Sequence, residues 1–187
     1  MARPSVADAR REQIIEATLT TMAQHGISGT TLDRIADTAG MSRGHVRHFV
    51  GNRDRLLLDA ARAFYVAPAV IPPEIDSLKP ALDYLFGEEF ASSSADNTIV
   101  LAFVELARSS EDIAAVLAEA YGSARERLLA FIAAAYPDSP HAQHEVAAQG
   151  VISTALGNVF IGDFDREPKR TARSRKAVDA LLSSLRG

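Results

Sequence analysis

Ser42, Arg43, Gly44, His45, Arg47 and His48 form a run in which only Val46 is apolar. Guanidinium groups donate in planar pairs that fit the O6 and N7 acceptors of guanine, and imidazole and hydroxyl groups add single donors. Carried on the first turns of a helix, such a set suits the major groove of DNA, and the helix N-terminus itself favours a phosphate. The alternative is a solvated helix face. What separates the two is whether neighbouring elements hold the run rigidly while leaving its polar side open.

The flanking residues supply those elements. Met41, Val46 and Phe49 or Val50 give the run an apolar back, and Ser42 is a good N-cap. Before it, Thr30-Thr31-Leu32-Asp33 opens a short helix, with Thr30 as the expected cap and Asp33 at capping-box spacing. Leu32, Ile35 and Ala36 make its buried face, the small Ala36 allowing close approach. Gly40 suits the tight turn between the two helices, because it tolerates positive φ. Helix, glycine turn, helix is the helix-turn-helix pattern.

Charge is distributed to match. The 187-residue chain has net charge -4, which by itself argues against nucleic acid. Residues 1–55, however, hold eight Lys/Arg against six Asp/Glu and three of the five histidines, while the remainder holds twelve against eighteen. A small basic module on an acidic body fits DNA binding by one end. Arg3, Arg10 and Arg11 precede the motif and read as a disordered start in preference to an arm contacting the minor groove or phosphate.

At these residues the chain resembles the TetR family of transcriptional regulators. The stretch GISGTTLDRIADTAGMSRGHVRHFVGNRDRLLLDA carries the resemblance through several spacings at once: Thr30-Thr31, Ile35-Ala36, Ala39-Gly40-Met41-Ser42, Gly44, His48-Phe49 and Arg53-Asp54. It extends from about Arg11 to Leu57. The family commonly has Tyr where Arg47 stands, Phe where Val50 stands and Lys where Arg53 stands. The resemblance implies an all-α fold, with a three-helix helix-turn-helix head at 1–52 and a helical bundle at 53–187 for ligand binding and dimerisation. Phosphate contacts are expected of Arg53 and of Thr30 or Thr31, and Arg47 is left to read either a phosphate or a base.

The rest of the chain reads as helix throughout, about nine in all. The first runs from about Val6 to Gln24, ended by Gly26. Asn52 caps the fourth, and Pro68, Pro72 and Pro73 form a linker. Further helices are expected at about Leu78–Ser92, Asn97–Arg108, Ser110–Ala135, His141–Phe164 and Arg170–Leu185, with a polar loop over Ser92–Asp96. Tyr65, Phe86, Phe90, Phe103 and Tyr121 supply aromatic mass. Ordinary core packing accounts for each one singly, and the resemblance implies that as a set they line a cavity for a small apolar or aromatic effector.

Val146, Gly150, Ser153, Gly157 and Phe160 fall on one face of the eighth helix, small in its middle. Val178, Leu181 and Leu185, with Leu182, stripe the ninth. Two copies of that pair are expected to form a four-helix bundle on a twofold axis, giving a homodimer on a palindromic operator. His141 and His144 stand at i, i+3, but a third ligand is lacking, so a polar helix start is preferred to a metal site. The basic run from Arg166 to Lys176 reads as a solvated face.

With no cysteine, no nucleophile elbow and no phosphate loop, an enzyme is disfavoured, and neither cofactor nor metal is expected. A regulator of the same fold without an effector remains the main alternative. The N-terminus shows no signal-peptide pattern and no stretch is apolar enough for a membrane span, so a cytoplasmic protein is expected.

Overall fold

A computed structural model describes residues 6–66, 70–91 and 95–186. Among these residues the secondary structure is helical: α1 (Val6–Gly29), α2 (Leu32–Ala39), α3 (Arg43–Val50), α4 (Arg53–Val66), α5 (Leu78–Leu85), α6 (Glu88–Ala91), α7 (Ala95–Ala107), α8 (Glu111–Ala135), α9 (His141–Gly162) and α10 (Arg170–Ser183). A short 3-10 turn, Ser184–Arg186, follows. The all-α expectation holds. The helix expected over 78–92 is two helices, because the chain turns at Gly87 between α5 and α6. Arg3, Pro68 and most of the Ser92–Asp96 loop lie outside the described residues.

Contacts divide the chain into two compact units, Met1–Ala67 with Ser94–Ala118 and Pro68–Ser93 with Glu119–Gly187. This is a division of packing, whereas the expected boundary at 52/53 is one of roles. In the first unit α1 packs against α2, α3, α4 and α7. Its core gathers Ile14, Ala17, Ile35, Ala36, Ala39, Val46, Val50 and Leu56. Phe64 and Tyr65 of α4 meet Phe103 of α7, with Phe103 5.9 Å from Tyr65 and 6.1 Å from Phe64 between ring centroids.

The core of the second unit joins Leu82 and Leu85 of α5, Leu128 and Ile132 of α8, Val151 and Ile152 of α9, and Val178 and Leu182 of α10. Its turns are tied by side chains. Arg127 of α8 donates to the carbonyls of Ile71, Pro72 and Ile75 and lies over the Phe131 ring. Nε2 of His144 is 2.9 Å from the Tyr136 carbonyl, fixing the α8–α9 turn. His144 is thus buried and engaged, not part of a polar helix start. The basic run is not simply solvated either. Arg170 donates to the carbonyl and side-chain oxygen of Asn158 at 3.2 Å each, and Arg175 bridges Asp83 and Asp179 at 3.0 Å each. The paired cations Lys79 and Arg175 hold the Asp83 carboxyl below its ordinary pKa, Lys79 foremost.

Candidate nucleic-acid interface

Local chemistry builds the α2–α3 hairpin. Thr31 has extended backbone, and its hydroxyl accepts from the Arg34 amide at 3.3 Å, capping α2. Gly40 closes α2 in the left-handed conformation at φ 63°, ψ 35°. Ser42 caps α3 by accepting from the His45 amide at 3.2 Å. Gly51, at φ 78°, ends α3, and the Asn52 side chain accepts from the Arg55 amide at 2.8 Å to open α4.

The cap of α2 is therefore Thr31, one residue later than expected. Thr30 is fully buried, and its hydroxyl donates to the Gly26 carbonyl at 2.7 Å. It bonds the glycine that breaks the end of α1, at φ 63°, and has no surface left for a phosphate. Nor does Asp33 form a capping box, since the third residue after Thr31 is Arg34. Asp33 instead pairs with Arg43 of α3.

Along α3 the pattern is sharp. Val46 and Val50 are buried, Met41 and Phe49 half-buried, and Ser42, Arg43, Gly44, His45, Arg47 and His48 all exposed. Nothing inside the chain demands glycine at position 44: a Cβ there would meet only Ser42 Oγ, at 3.9 Å. The side chain of Arg47 is exposed and the His48 ring stands edge-on to Phe49 at 5.3 Å.

Two arginines that look like surface cations hold the head together. Arg53 donates from Nε to the Thr30 carbonyl at 3.0 Å and from a terminal nitrogen to the Ile27 carbonyl at 3.3 Å. It braces α4 against the α1–α2 connection, an internal use that the expectation of a phosphate contact did not include. Arg11 of α1 donates to the Phe49 carbonyl at 3.1 Å, and Gln13 to the Ala39 carbonyl at 2.9 Å. These reach the C-terminal carbonyls of α3 and α2, which have no intrahelical partner. In the sequence Arg11 reads only as part of the chain's start and Gln13 is unmarked, because each bond spans dozens of residues.

The five expected ligand-site aromatics fall in both units. Tyr65 and Phe103 belong to the first and are 4% and 0% exposed. Phe86, Phe90 and Tyr121 belong to the second and are half-buried, with Phe90 5.4 Å from the Tyr84 ring.

The expected dimer face also divides. Val178 and Leu185 are buried in the core of the second unit, so that surface is spent within one chain. Gly150 faces α10, since a Cβ there would come within 2.5 Å of Leu181 Cδ2. Val146 is 65% exposed, Ser153 is exposed, Gly157 and Phe160 are half-buried, and a Cβ at Gly157 would meet open space. Ile161 and Phe164 extend this apolar strip beyond Phe160.

The family model "Bacterial regulatory proteins, tetR family" matches residues 14–63, which span α1 from Ile14, the hairpin and most of α4. An HTH-type transcriptional regulator BetI of Paraburkholderia phymatum is 46% identical over 57 residues, 30% of this chain and 29% of that protein. The chain thus matches under a third of the length of that relative. The fold is similar along nearly its whole length to solved structures. A putative transcriptional regulator of Pseudomonas aeruginosa PAO1 matches with TM-score 0.75 at 22% identity, covering 95% of this chain and 90% of that one. A TetR-family regulator of Cytophaga hutchinsonii matches with TM-score 0.76 at 15% identity, covering 98% of each chain.

Proposed function

On the match of residues 14–63 to the tetR family model, we propose that this chain is a regulator of the tetR type, a ligand-responsive repressor that binds a palindromic DNA operator as a homodimer. The observation that carries the DNA reading is α3, which buries Val46 and Val50 and exposes every polar residue from Ser42 to His48. Arg43 and His45 read base edges. Thr31, exposed and with its hydroxyl hydrogen still available, bonds a phosphate together with the N-terminus of α3. Arg47 lies further along the same exposed face and contacts phosphate or base. Arg43→Ala should cost about 1–3 kcal/mol on a selected duplex and relax specificity there, whereas a phosphate contact weakens all duplexes alike. Equal loss on selected and random DNA would remove Arg43 from base reading.

The dimer face is the exposed strip of α9 from Val146 through Ser153 and Gly157 to Phe160, with Ile161 and Phe164 beyond it. Gly157 lets a second helix approach closely, and the small residue is not needed by the chain's own packing. Gly157→Arg should yield folded monomers that lose high-affinity operator binding. Sedimentation that finds the variant still dimeric would overturn this face.

The effector is an apolar or aromatic small molecule. Of the five rings expected to receive it, Phe86, Phe90 and Tyr121 keep exposed surface, while Tyr65 and Phe103 are spent on the core of the first unit. Such a ligand shifts operator affinity only by its differential affinity for two conformations. A compound that raises the melting temperature yet leaves operator affinity unchanged, across a panel of binders, would favour a regulator without an effector. Among the described residues no helix is long and apolar enough to cross a membrane. Action as a non-enzymatic DNA regulator in the cytoplasm is part of the same proposal.

A further inference from the structure

One contact of the reading helix has no part in building the fold. A terminal nitrogen of Arg43 on α3 donates to both carboxylate oxygens of Asp33 on α2, at 3.2 and 3.1 Å. The two side chains are 62% and 64% exposed. An exposed pair of this kind adds little to stability, so its consequence lies in what it does to Arg43. A guanidinium has five N–H donors in a planar fork. Only one nitrogen is used here, and Nε and the second terminal nitrogen make no hydrogen bond within the described residues.

We propose that Asp33 is a specificity-determining positioning residue. It holds Arg43 by one nitrogen, leaves the rest of the fork for a base edge, and cancels the charge that would otherwise seek phosphate on any sequence. The proposal rests on the reading of α3 as the DNA-reading helix. Its physical basis is that phosphate attraction is blind to sequence while a bidentate contact to guanine is not. A free, mobile Arg43 would raise affinity for all DNA. A held one spends its donors only where acceptors are correctly placed.

The test uses the full chain and two probes, a duplex enriched from a random pool by the wild-type protein and an unrelated duplex of equal length. Affinities are measured across a salt series for Asp33→Ala, Asp33→Asn, Asp33→Glu, Arg43→Ala and the Asp33→Ala/Arg43→Ala double variant. Asp33→Ala should bind the unrelated duplex roughly three- to tenfold more tightly near 0.1 M salt, with a salt slope steeper by about 0.9, as one more phosphate is neutralised. The enriched duplex should gain less, so discrimination falls.

Asp33→Asn should behave like Asp33→Ala, and keeps the polar side chain in the first turn of α2 should alanine unfold it. Asp33→Glu should recover most of the discrimination. In the Arg43→Ala background the Asp33 effect on discrimination should vanish, because a double-mutant cycle isolates the pair. If removing Asp33 tightens both duplexes equally, or acts the same with Arg43 absent, the carboxylate merely repels DNA and the proposal fails. A wild-type chain that enriches no duplex, or Arg43→Ala with unaltered affinity for both probes, would instead overturn the reading of α3 on which it rests.

Discussion

The cations of α3 and those of α8 and α10 are used in opposite ways. Arg127 spends both terminal nitrogens on backbone carbonyls, Arg170 spends Nε on Asn158 and a terminal nitrogen on the Asp165 carbonyl, and Arg175 spends two nitrogens on Asp83 and Asp179. On α3, Arg43 spends one nitrogen on one exposed carboxylate, and Arg47 is exposed. Donors spent on two or more internal acceptors build structure, and their loss leaves those acceptors without a partner. Unspent donors on a well-held helix are available to an external acceptor. The contrast also cuts within the head, where Arg11 and Arg53 resemble surface cations in sequence but are bonded to carbonyls of other helices.

The largest effect that would break this comparison is at Arg127. Arg127→Ala should destabilise the fold by about 2–3 kcal/mol, the worth of charge-assisted hydrogen bonds left unmade. Denaturant unfolding reads it, and an unchanged midpoint would mean that the carbonyls of Ile71, Pro72 and Ile75 find water as readily. Next is Arg53→Ala, expected to cost about 1–2 kcal/mol of stability, as one hydrogen-bonded guanidinium in a half-buried place. A variant with wild-type stability but a lower salt slope on DNA would return Arg53 to the phosphate role it was first expected to have.

Gly44→Ala sharpens the other side. Alanine is favoured over glycine in a helix by about 1 kcal/mol, and the chain has room for the methyl group. The variant should be more stable by up to that amount while binding DNA more weakly, because the added methyl lies on the reading face. Improved stability with unchanged DNA affinity would mean that DNA does not approach at residue 44. Arg47→Ala should leave stability within about 0.5 kcal/mol of wild type, with its effect confined to DNA affinity.

The smallest effect concerns acid. The Asp83 carboxyl is held below its ordinary pKa by Lys79 and then Arg175. Its contribution is therefore complete above the unfolded value of about 3.9 and is lost as pH falls through the lowered folded value. The stability difference between wild type and Asp83→Asn should be constant from neutral pH to mildly acid and close only below that range. A difference that already shrinks near neutrality would assign the pairing to another group.

What the sequence determined by itself is much of what neighbours a few residues apart govern. Ser42 and Asn52 as N-caps, Gly40 in the left-handed turn, and the alternation of buried Val46 and Val50 with exposed Arg43, His45 and Arg47 were all legible. A cap or a helical face is decided within one or two turns. The all-helical class followed from the same periodicity. Where two adjacent residues could serve, as with Thr30 and Thr31, the local signal was degenerate, and burial of Thr30 against the Gly26 carbonyl decided it. Only the tertiary structure could say which donors are spent. Arg53 bonds a carbonyl 23 residues away, and Arg127 one 56 residues away. Likewise the stripe over α10 and the 3-10 turn after it was correctly apolar, yet an apolar face reads the same whether its cover is another chain or, as for Val178 and Leu185, the chain's own core. Hydrophobic burial is non-directional, so sequence shows that a face must be covered, and packing decides by what.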